Sequence, residues 1–98
     1  MIDKETFLSN PIVFENNANL LKALAHPIRL CIVKGLIETG GCNVTNIQLC
    51  LNIPQSTISQ HVAKLKSSGI IVGERNGLEI IYKVANKQVE ELVKVLFD

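Results

Sequence analysis

Tryptophan is missing from this chain of 98 residues, and one tyrosine and three phenylalanines are its whole aromatic complement. Yet 47% of the chain is hydrophobic. A core without large rings packs on Leu, Ile and Val, and that share leaves apolar surface over for a partner. No apolar run approaches the ~18 residues that a membrane span requires. The start, "MIDKETFLSNPIVF", is acidic and broken by Pro11, unlike a secretory signal. The expectation is a cytoplasmic protein with no membrane partner. Three cysteines, an odd number without CxxC or Cys/His ligand spacing, argue against a disulfide framework and offer no metal site.

Charge of one sign is lacking too, and the net +1 makes bulk charge no guide to partners. Residues 54–85 nevertheless carry Lys64, Lys66, Arg75 and Lys83 against Glu74 and Glu79, a local +2, while residues 1–20 carry −2. Repeats, low-complexity tracts and Pro/Gly/Ser linkers are absent, which predicts a single domain over 1–98. A chain this short buries about 60–65% of its unfolded surface, so a lone monomer is only modestly stable. Enzyme chemistry finds no footing. There is no nucleophile–base pair, no glycine-rich phosphate loop and no carboxylate pair at useful spacing, and no cofactor or small-molecule ligand is indicated.

What is present reads as short helices and a hairpin. A brief helix is expected around residues 3–9. Asn16-Asn17 offers a cap for a helix through Leu20, Leu21 and Leu24, which Ala25-His26-Pro27 ends. Pro27 suits the first turn of a second helix. There Ile28, Leu30, Cys31, Ile32, Val33, Leu36 and Ile37 cover most of the circumference, as in a central core element, and Gly40-Gly41 closes it. A short helix follows from about Thr45 to Leu51, then a tight connection, then a helix over 55–68 whose inward face is Ile58, Val62 and Leu65.

Two β-rich runs, "IIVGER" and "LEIIYKV", flank Asn76-Gly77, a hairpin signal. A strict two-residue turn there would set Glu74 opposite Glu79, so a looser tip is expected. The last helix, 86–97, carries Val89, Leu92, Val93 and Leu96, a stripe wider than one contact needs. The whole predicts a mainly α fold with a β-hairpin wing: a winged helix-turn-helix in the order α-α-α-α-β-β-α.

"PQSTISQHVAKLKSSG" then asks for an explanation, because Gln55, Ser56, Thr57, Ser59 and Gln60 crowd the front of one helix. Ser and Thr compete with the helix for its own backbone. Either Ser56 and Thr57 cap the helix and the rest is solvated, or the group reads double-stranded DNA. A helix entering the major groove presents its N-terminal residues to base edges, where Gln pairs with adenine and short hydroxyls allow close approach. The flanking turn-helix and hairpin favour DNA. His61 either meets a phosphate or anchors the helix to a backbone group. Lys64 and Lys66 are phosphate candidates or solvated face. His26 reads as a cap or packing residue, and Arg29 as a structural ion-pair partner.

"LLKALAHPIRLCIV" followed by "NIPQSTISQHVAKLKSSGIIVGERNGLEIIYKV" resembles the ArsR/SmtB family of bacterial winged-helix repressors, and within it the PagR-type repressors of bacilli. The resemblance covers roughly residues 18–96. It implies a homodimer joined through its terminal helices, about 3–25 and 86–97, with Leu20, Leu92, Val93 and Leu96 at the interface. It also implies two recognition helices on an imperfect palindrome, with a wing at 75–78, Arg75 and Asn76 included, over the backbone or minor groove. The family's metal sensors do not carry over. The positions of the usual thiolate pair are Asn43 and Thr45 here, and the last helix has no histidine.

Two alternatives stand beside a repressor. One is a winged helix used for protein contact. The other is a thiol-based redox-sensing repressor using Cys31, Cys42 and Cys50. Cys31 and Cys50 are expected in the core and Cys42 at the surface, with no resolving cysteine on the last helix.

Overall fold

In a computed structural model, residues 6–98 are described. Five helices and one antiparallel hairpin follow in the order α1 (Pro11–Leu24), α2 (Pro27–Thr39), α3 (Val44–Leu51), α4 (Gln55–Ser67), β1 (Ile71–Asn76), β2 (Glu79–Val84) and α5 (Lys87–Phe97). Of the brief helix expected around 3–9, residues 1–5 lie outside the described residues, and 7–9 form a turn.

The first helix starts at Pro11, ahead of the expected Asn16-Asn17 cap, since a proline is preorganised for the first turn. His26 opens α2 by accepting the Ile28 N–H on Nδ1 at 3.2 Å, and Gly40, with φ 80°, closes it. Asn43 caps α3 through the Asn46 N–H at 2.8 Å, one residue earlier than the sequence predicts. Asn52 then turns the chain with φ 55°, a conformation Asn tolerates. The end of α4 is a Schellman motif. Gly69 N–H reaches the Lys66 carbonyl, and Ile70 N–H reaches the Leu65 carbonyl, both at 3.1 Å.

The wing corrects one expectation. Its tip is tight rather than loose, but the turn is displaced by one residue to Gly77-Leu78, so that Asn76 pairs with Glu79 and Glu74 with Ile81. Gly77 has φ 67°, which fits a turn wanting glycine at its first central position. The slip resolves the like-charge conflict. Glu74 instead faces Lys83 on the diagonal, Nζ to Oε1 at 3.2 Å.

A third strand-like contact escaped the sequence reading. Cys42 and Tyr82 exchange backbone hydrogen bonds at 3.1 and 2.8 Å, stitching the segment before α3 to the wing. Gly41 makes this approach possible: a Cβ there would stand 3.0 Å from the Ile81 side chain.

The core joins every helix. Ala23 and Leu24 of α1, Ile32, Val33 and Leu36 of α2, Ile47 of α3, Ile58, Val62 and Leu65 of α4, Ile70, Ile71, and Val89 and Val93 of α5 form one buried cluster. Val93, expected at the dimer interface, packs in the core of its own protomer. Among the described residues no polar side chain is buried and no helix is long and apolar enough to cross a membrane.

Candidate nucleic-acid interface

Pro54 sets the front of α4. It has no side chain able to cap, and its carbonyl takes the N–H groups of Thr57 and Ile58 at 3.0 and 3.1 Å. The N–H groups of Gln55 and Ser56 have no acceptor within the helix, as at any helix start. The capping alternative is not realised: neither Ser56 nor Thr57 caps α4. Gln55, Ser56, Ser59 and Gln60 are exposed and Thr57 is half-buried, while Ile58, Val62 and Leu65 hold the opposite face in the core. This end offers free donors, short polar side chains and the positive end of the helix dipole together.

Farther along α4, Lys64 and Lys66 are exposed and stand in the last turn. Arg75 and Asn76 are exposed at the end of β1. Among the described residues the ion pairs are Lys34–Glu38, Lys83–Glu74 and Lys94–Glu90, so Lys64, Lys66 and Arg75 keep their charge unpaired while Lys83 does not.

The His26-Pro27-Ile28-Arg29 segment has a role the sequence reading only half caught. Among the described residues Arg29 pairs with no carboxylate. Its Nε donates to the Ala23 carbonyl at 2.6 Å and its Nη2 to the Lys22 carbonyl at 3.5 Å, closing the C-terminal end of α1. Its Nη1 lies 3.4 Å from His61 Nδ1 on α4. The rings of His26 and His61 are 4.5 Å apart. Through Nδ1, His61 braces α4 against the α1–α2 joint, and the ring is half-buried. Burial first, then the neighbouring His26 and Arg29, hold its pKa below the usual 6.5.

Asn43 is a functional residue that sequence reasoning missed. Besides capping α3, its Nδ2 donates to Glu79 Oε1 at 2.6 Å and ties the tip end of the wing, where Glu79 pairs with Asn76, to the helix-turn-helix. An Asn just before an apolar helical run was the available signal.

On the opposite side, α1 and α5 leave an open groove of about 490 Å³ lined by Leu20, Leu21, Leu92 and Val95 with Asn17 and Gln88. Leu20 is half-buried, Leu92 is 39% exposed and Leu96 65% exposed. The cysteines reverse their expected places: Cys31 and Cys50 are exposed, and Cys42 is half-buried against the core. The α2 stripe is apolar nearly all round, but α3 does not cover the side that holds Cys31.

Residues 24–74 match the helix-turn-helix domain family. The transcriptional repressor PagR of Bacillus anthracis is 45% identical over 82 residues, which are 84% of this chain and 82% of that protein. The transcriptional repressor SmtB of Mycobacterium tuberculosis is 37% identical over 81 residues, 83% of this chain and 59% of that one. The chain belongs to the ArsR/SmtB family of winged-helix repressors. Its ArsR/SmtB architecture superposes on the crystal structure of PagR with a TM-score of 0.81 at 42% identity, covering 93% of this chain and 99% of that one. The homodimeric winged helix-turn-helix DNA-binding domain from Mycobacterium bovis, solved in solution, matches with a TM-score of 0.80 at 26% identity over 99% of this chain and 87% of that one. The stretch Gln55–Ser59 is the front of α4, and His26 and Arg29 form the brace with His61.

Proposed function

We propose that this chain is a cytoplasmic, homodimeric, sequence-specific DNA-binding repressor that lays α4 in the major groove and the wing, 75–78, over the adjacent backbone. The observation that carries this reading is the front of α4, polar, exposed and uncapped by its own side chains, on a helix whose last turn holds unpaired Lys64 and Lys66. Gln55, Ser56, Thr57, Ser59 and Gln60 read base edges, while Lys64, Lys66, Arg75 and Asn76 meet the backbone. The whole of 1–98 acts as one domain, and the groove between α1 and α5 pairs with its symmetry mate through Leu20 and Leu92, together with the exposed Leu96 near the end of α5. Both relatives named above are repressors, and the Mycobacterium bovis domain is a homodimer, which supports the pairing. A two-fold dimer calls for an imperfect palindrome with half-sites about 34–36 Å apart or multiples of that. Neither the Asn43/Thr45 pair nor α5 offers thiolates or imidazoles, so repression runs without the family's metal ligands.

Footprinting on DNA from upstream of the protein's own gene tests this. Two protected stretches related by an approximate dyad are expected. A single unpaired patch, or uniform protection without sequence preference, would contradict it.

A further inference from the structure

Every cysteine of the chain lines one small crevice. Cys31 on α2, Cys42 beside the bridge to β2 and Cys50 on α3 border a space of about 110 Å³ together with Gly35, Leu36 and Ile47. The ordinary account of a free cysteine is a small buried hydrophobe. It fits Cys42 alone, because Cys31 and Cys50 are exposed. Among the described residues no group of three or more His, Cys, Asp or Glu is arranged to hold a metal ion, and exposure leaves the Cys31 and Cys50 thiols open to reagents from solvent. A dry apolar cavity of roughly 150 Å³ takes up benzene. The crevice, at about 110 Å³, is smaller and open to solvent, a size for a short chain or the edge of a compact uncharged ring.

We infer that this crevice captures small apolar electrophiles of the α,β-unsaturated carbonyl class by covalent addition to Cys31 or Cys50. The thiol gives its proton to water and the thiolate sulfur bonds to the β-carbon. The π pair of the C=C bond shifts to join the α-carbon and the carbonyl carbon, the C=O π pair moves to oxygen, and the resulting enolate takes a proton from water at the α-carbon as the C=O bond re-forms. No oxidant enters. The crevice contributes apolar contact that a free thiol in water lacks. An adduct there wedges between α2 and α3, and α3 packs on α4. Loss of DNA binding on modification follows, and that part rests on the repressor reading above.

Gly35 provides the control. It lines the crevice, and a Cβ added there meets nothing within 4 Å. Gly35→Leu therefore fills the space while leaving all three thiols in the chain, and Gly35→Ala fills less of it while favouring the helix. The full chain is treated with N-ethylmaleimide or with charged iodoacetate. Rates at each cysteine are read by mass spectrometry and normalised to free cysteine, with DNA anisotropy followed in parallel.

At Cys31 or Cys50 the preference for the maleimide should exceed that of free cysteine by about tenfold, the gain from burying roughly two methylene-sized groups. Gly35→Ala should reduce it and Gly35→Leu abolish it, with DNA released as the adduct forms. A preference equal to that of free cysteine at all three thiols, or one that survives filling of the crevice, would overturn the capture. Complete modification with DNA still bound would overturn the regulatory part. Absence of specific DNA binding before any reagent is added would fail the repressor reading instead.

Discussion

Nη1 of Arg29 lies 3.4 Å from Nδ1 of His61, across the joint between the head of α2 and the middle of α4. Arginine only donates, so Nδ1 must carry its lone pair and His61 must be neutral. The contact ties α4 to the carbonyls that end α1, through one guanidinium.

A pH dependence follows. His61 has its folded-state pKa held below 6.5 by burial, His26 and Arg29. The unfolded chain therefore takes up this proton first as pH falls. The contribution is constant above about 6.5; stability declines as pH drops from there to the lowered folded value, and then levels off. Denaturant melts of the wild type and of His61→Asn across this window should differ in slope, with the variant flatter. Parallel curves would remove His61 from the account.

Base reading and backbone contact separate by mutation. Gln60→Ala should cost ~1–3 kcal/mol on the specific site and relax preference at one base position. Lys64→Ala should weaken specific and random DNA alike. Anisotropy titrations on both DNAs distinguish them, and identical behaviour of the two variants would defeat the assignment of Gln60.

Salt dependence counts the unpaired cations. Lys64, Lys66 and Arg75 in two protomers give about six phosphate contacts and a log–log slope near −5. Lys83 is held by Glu74 at 3.2 Å, so Lys83→Ala should leave that slope unchanged, while Arg75→Ala should reduce it. A shallower slope for Lys83→Ala would show that its ion pair opens on DNA.

Gly41 has φ 145°, and its missing Cβ leaves room for the Ile81 side chain. Gly41→Ala should destabilise the chain by ~1–3 kcal/mol through backbone strain and crowding at the wing base. Chemical denaturation reads the loss directly; a neutral variant would mean the bridge between Cys42 and Tyr82 contributes little.

The dimer reading predicts that Leu96→Asp, at a position 65% exposed, leaves the protomer folded but yields a monomer in sedimentation. An unchanged dimer would place the interface elsewhere.

How much of this was legible depends on range. Local signals were: Pro27 and Gly40 bound α2, Gly69 ends α4, and the Ile58/Val62/Leu65 stripe faces inward, because each is set by neighbouring residues. The polar front of α4 was legible for the same reason. Contacts between distant segments were not. Nothing in sequence spacing says that Asn43 reaches Glu79, that Cys42 pairs with Tyr82, or that Arg29 turns to carbonyls and His61 rather than to a carboxylate. The cysteines were misplaced because an apolar helix was assumed to be covered on all sides. The turn slipped by one residue because Glu74 is better satisfied opposite Ile81 and diagonal to Lys83 than opposite Glu79.

The most direct test of the central claim is fluorescence anisotropy of the reduced protein, with chelator present, on DNA from upstream of its own gene against excess random DNA. Tight binding that survives the competitor is the result predicted for a metal-free repressor reading sequence through α4. Binding no better than to random DNA would contradict it.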